Sequence, residues 1–125
     1  MTQNIFSIDN PENYACVIRK YVVGQSVMHI EVVSNFKPPN IFYLVFYPVE
    51  YFCGPITWQG VNFEIASSEA CLKVISQLER YDNIPDEKLM EDPYSLKLYQ
   101  VKTDRNTIQI LAGNAKKHNE TWALG

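Results

Sequence analysis

The chain has 125 residues, 46% of them hydrophobic and 20% charged, which is the make-up of one folded domain with a single core and excludes both a disordered chain and a two-domain one. Its formal net charge of −3 gives no general attraction to phosphate backbones or anionic lipid, and the densest basic spots, Arg19-Lys20 and Lys116-Lys117-His118, are short. Nucleic acid and membrane are therefore not expected as partners.

The N-terminal residues Met1 to Ser7 lack the basic and apolar regions of a secretory signal, and no apolar run is long enough to cross a bilayer, so the expected location is the cytoplasm. Cys16, Cys53 and Cys71 are odd in number and widely spaced, without a Cys-x-x-Cys pair. Buried inert thiols are expected, with no disulfide framework and no metal site.

In chain order, Ser7 to Asn13 is a polar lead-in carrying Asp9, Asn10 and Pro11. A strand is predicted over Tyr14–Val23, a turn at Gly24-Gln25, and a second strand over Ser26–Ser34, the two forming a hairpin. In the second, Met28, Ile30 and Val32 share one face, opposite Val27, His29, Glu31 and Val33. Lys37-Pro38-Pro39-Asn40 breaks the chain. The run from Ile41 to Tyr47 then reads as a central strand covered on both faces, ending in a bend between Pro48 and Pro55. Val61, Phe63 and Ile65 alternate with Asn62 and Glu64 as a strand with one wet face does.

The main helix is predicted over 67–80. Ser67-Ser68 suits the N-cap and Glu69 the first turn, while Cys71, Val74, Ile75 and Leu78 form one apolar stripe. Pro85 followed by acids starts a short second helix over 84–91, stopped by Asp92-Pro93. Two further strands, Tyr94–Val101 and Thr107–Ala112, flank the turn Thr103-Asp104-Arg105-Asn106. Gly113-Asn114 ends the last strand, leaving one globular domain over 1–114 and a polar tail over 115–125. This order predicts an α+β domain, a strongly bent antiparallel sheet or partial barrel of about six strands with one packing helix. A doubly wound α/β fold fits less well, because the strands cluster at the front of the chain instead of alternating with helices.

No motif of known chemistry is present. The glycines are too scattered for a dinucleotide or phosphate loop, no Gly-x-Ser-x-Gly elbow occurs, and the acids Asp82, Asp86, Glu87, Glu91 and Asp92 match no calcium-loop spacing. No cofactor is implied. What stands out is aromatic load: Phe36, Phe42, Tyr43, Phe46, Tyr47, Tyr51, Phe52, Trp58 and Phe63 all lie near the middle of the chain. One strand and one helix cannot hide every ring, so some should line a pocket or a surface patch, and Tyr47, Tyr51 and Trp58 carry polar handles suited to it.

The stretch Phe46 to Phe63, with Ile110-Leu111-Ala112-Gly113-Asn114 later, resembles small cyanobacterial proteins of unknown function, a resemblance that implies no activity and no catalytic residue. The preferred expectation is a non-catalytic cytoplasmic module using the bend region 47–58 to hold a protein partner, its own copy or a small apolar ligand. The competing one is a small hydrolase or isomerase with His29, Glu31 and Cys53 in one cleft.

Overall fold

The computed structural model describes residues 4–89 and 95–119. Its framework is a seven-stranded, wholly antiparallel sheet curled into a half-barrel, with strand order β4-β1-β2-β3-β7-β6-β5. The strands are β1 (Tyr14–Val22), β2 (Val27–Ser34), β3 (Ile41–Cys53), β4 (Thr57–Gln59), β5 (Glu64–Ile65), β6 (Lys97–Lys102) and β7 (Thr107–His118). The helices are α1 (Ser68–Ile75) and the single-turn α2 (Asp86–Leu89), with 3-10 turns at Pro11–Asn13 and Glu79–Tyr81. The α+β reading holds, with one strand more than expected.

Two departures concern the long strands. β3 continues past Pro48 to Cys53 where a bend was expected. Its ladder to β2 runs from Val33↔Ile41 to Met28↔Phe46, and past Pro48 the Val49 N–H still donates to Ser26 C=O at 2.7 Å, so the proline interrupts the pairing without ending the strand. On the other side β7 follows β3 throughout, from Tyr43↔His118 to Cys53↔Gln109, with a bulge between Val49 and Tyr51. That pairing carries β7 beyond Asn114 to His118, so residues 115–118 are strand and not tail. The local composition is polar, but a long partner strand supplies the main-chain bonds.

Alternation sends one set of side chains into the concavity. Cys16, Met28, Ile30, Val32, Phe42, Leu44 and Phe46 are joined there by Tyr99, Val101, Ile108 and Ile110. Phe6, Ile8, Val61 and Phe63 fill the same space from irregular segments. The Ile5 amide donates to Phe63 C=O at 3.0 Å, and the Asn4 side chain brackets Ile8 by accepting from its N–H at 2.8 Å and donating to its C=O at 2.9 Å.

The helix covers the convex side of β6 and β7. Cys71, Val74 and Ile75 lie buried against Leu96, Leu98 and Leu111, with Leu78 half-buried beside them, as the sequence stripe predicts. Ser67 caps the start by accepting from Ala70 N–H at 3.1 Å. α1 ends at Ile75, short of the expected residue 80: Ser76 Oγ donates back to Lys73 C=O at 2.6 Å, and the chain tightens into the 3-10 turn. α2 spans Asp86–Leu89, while Met90, Glu91, Asp92, Pro93 and Tyr94 lie outside the described residues, as do residues 120–125 of the expected tail.

Candidate functional site

β4 is one terminal strand of the curled sheet, and the β6–β7 hairpin rises opposite it. The curl leaves a cleft of about 740 Å³ between them, within the size range of ligand pockets. One wall is Pro55, Thr57, Trp58, Gln59, Gly60 and Asn62; the other is Val101 to Asn106, and Pro11 and Glu12 from the first 3-10 turn close one end.

Each wall is held by local chemistry. Thr103 Oγ1 accepts from the amides of Arg105 at 3.2 Å and Asn106 at 2.9 Å, and Thr103 N–H donates to Asn106 C=O at 2.8 Å, so the hairpin tip is a self-bonded turn. Gln59 Nε2 donates to Glu12 C=O at 2.8 Å, tying β4 to the end wall. Gly60 has φ +111°, a conformation that side-chain-bearing residues rarely adopt, and it turns the chain from β4 into the interior at Val61.

Trp58 forms the inner wall. Only 7% exposed, it packs edge-on to Phe63 with ring centroids 6.4 Å apart, and its Nε1 is buried with no hydrogen-bond partner among the described residues. A buried N–H left without an acceptor costs about 1–3 kcal/mol. Around it converge the hydroxyl of Thr57, the amides of Gln59 and Asn62, the cations Lys102 and Arg105, and the carboxylates Glu12 and Asp104. This lining contains neither histidine nor cysteine.

Of the residues singled out from the sequence, Trp58 alone lines this cleft. Tyr51 lies half-buried against the helix cluster and also borders a separate groove of about 280 Å³ with Tyr21, Met28 and Phe52. Burial raises its hydroxyl pKa, and a hydrogen bond with Cys53 adds to the rise. Tyr47 is half-buried under the Lys116 ammonium, 5.9 Å from the ring centroid. The three aromatic residues therefore occupy separate places rather than one surface.

His29, Glu31 and Cys53 are likewise not gathered into one cleft. His29 is buried on the convex side of β2 opposite Val45, and its pKa is lowered by burial first, then by Lys20 and His118. Cys53 is exposed at the far end of the strand that carries Val45, roughly 25 Å of extended chain away. Glu31 Oε1 accepts from Arg19 Nε at 3.2 Å and Nη2 at 2.8 Å, a surface ion pair. None of these residues borders the Trp58 cleft or the groove beside Tyr51. Cys16 and Cys71 are buried thiols as expected, Cys16 pushed up to about 12 by burial; Cys53 is exposed.

The sequence does not reveal Lys102, Arg105, Asn62 or Glu12 as cleft residues. The turn at 103–106 is legible, but nothing local says that it faces Trp58.

No helix among the described residues is long and apolar enough to cross a membrane, and no group of His, Cys, Asp and Glu there could hold a metal ion. No known protein family, characterised protein or solved structure matches the chain.

Proposed function

We propose that the protein is a non-catalytic binding module whose ligand occupies the cleft between β4 and the β6–β7 hairpin. The observation that carries this reading is Trp58, a large ring on the cleft's inner wall with a buried donor that has no acceptor among the described residues. Polar and charged groups gathered around one large ring give the cleft the means to orient a ligand. The bend region 47–58 is narrowed to its last part, and Tyr47 and Tyr51 are left out of the contact set.

The wide separation of His29 and Cys53 weighs against a small hydrolase or isomerase built on those residues, since a nucleophile and its base must lie within hydrogen-bond reach. A cytoplasmic setting is part of the proposal, supported by an exposed free thiol at Cys53 and two buried ones.

The test is native mass spectrometry on protein purified from its own host, followed by a fragment screen read through Trp58 fluorescence in a Trp122→Phe background. A retained adduct, or fragment binding that shifts the emission and disappears in Asn62→Phe, is the expected result. Adducts that persist when Asn62→Phe narrows the cleft, or a screen with no emission change, would overturn the proposal.

A further inference from the structure

We infer that the occupant of the cleft is an extended polypeptide segment that adds a strand to the free edge of β4. The inference rests on the reading of the cleft as a binding site and names what that site takes. The register of β4 carries it. Ile18 N–H donates to Ile56 C=O at 2.9 Å, Gly60 N–H donates to Tyr14 C=O at 2.7 Å, and Cys16 stands opposite Trp58. Main-chain pairing alternates along an antiparallel ladder, so the even-numbered residues of this stretch turn their amides and carbonyls to β1. The main-chain groups of Thr57 and Gln59 consequently turn the other way, off the sheet's terminal strand and into the cleft.

Amides and carbonyls at two alternate residues are the pairing set for an added strand, and this is how peptides dock on sheet edges. Side chains fit the same geometry. Thr57 and Gln59 are exposed while Trp58 points inward. A residue of the incoming strand opposite Trp58 would therefore point inward too, beside the indole N–H that has no acceptor among the described residues.

Two other occupants fit less well. A second copy of this chain would have to bring a matching edge past Pro11-Glu12 and the Thr103–Asn106 tip, which line the cleft beside β4. A compact small molecule would leave the alternating main-chain groups of Thr57 and Gln59 without a matched partner row.

The experiment is selection from a phage-displayed library of random heptapeptides against the whole protein. Selected sequences are then resynthesised with single N-methyl groups at each position. N-methylation at residues facing Thr57 and Gln59 is expected to weaken binding about tenfold or more, and at the alternating residues less than about threefold, since each edge position loses one or two main-chain bonds. Gln59→Pro removes an edge amide that β1 does not use and should weaken every selected peptide while the far-ultraviolet spectrum is retained. If that variant misfolds, the N-methyl scan on the unaltered protein still decides. Selected peptides indifferent to N-methylation would overturn strand addition while leaving the cleft as a binding site. So would fragments that shift Trp58 emission when no peptide is selected. Self-association abolished by Gln59→Pro would overturn it in favour of a second copy, and neither peptide nor fragment binding would overturn both readings.

Discussion

The two hydrophobic clusters on either side of the sheet are built differently. The one inside the curl is ring-rich: Phe63 lies 6.0 Å from Phe6, 5.4 Å from Phe46 and 6.4 Å from Trp58, centroid to centroid. The one outside is mainly aliphatic and lies under α1, with Val74, Ile75, Leu98 and Leu111 at its centre. The helix covers the second, whereas the first is stoppered by irregular segments and runs out at Trp58 into open space. A cluster closed by a regular element stabilises; a cluster that ends at a cleft can also bind.

That contrast can be broken by truncation. Phe63→Ala removes a fully buried ring from the inner cluster and should lower unfolding free energy by about 3–5 kcal/mol in urea titration, with a shift in Trp58 emission. Leu111→Ala in the outer cluster should cost about 2–4 kcal/mol and leave Trp58 emission unchanged. Equal emission changes in both variants would show that the clusters behave as one. Ser67→Ala, which removes the cap of α1, should cost about 1 kcal/mol and act on the outer cluster alone, with Trp58 fluorescence again the check.

Trp58→Phe sharpens the comparison at the cleft. The lost ring area is offset by removing a buried donor with no partner among the described residues, so stability should stay within about 1 kcal/mol of the parent while ligand binding falls. A loss above roughly 2 kcal/mol would mean that the indole N–H is satisfied in the free protein.

The last prediction concerns His29 on the convex face. Its pKa is lowered from 6.5 on folding, so the folded state binds fewer protons than the unfolded one. The stability associated with the neutral imidazole is present above 6.5 and is lost as pH falls through that value and below. His29→Gln should flatten the acid limb of a stability–pH curve; an unaltered limb would assign acid sensitivity to other groups.

Much of the candidate site lay beyond sequence reading for a definite reason. Trp58 could be picked out as a ring with a polar handle in a chain with more aromatics than one helix could cover. Grouping it with Tyr47 and Tyr51 failed because alternation and the β3 bulge send those two to the convex side, Tyr51 under the helix and Tyr47 under Lys116. Placing Cys53 near His29 failed because β3 continues through Pro48 instead of folding back.

Local chemistry was enough to determine the α+β class, the β1–β2 hairpin, the buried face of Met28, Ile30 and Val32, and the cap and apolar stripe of α1. Each follows from side-chain period or from bonds between near neighbours in the chain. Tertiary structure alone decided that β7 runs along β3 to His118, that α1 covers the convex side, and that the 103–106 turn faces Trp58. Those outcomes depend on which distant strands share an edge and how far the sheet curls, quantities set by pairing and packing between segments far apart in the chain.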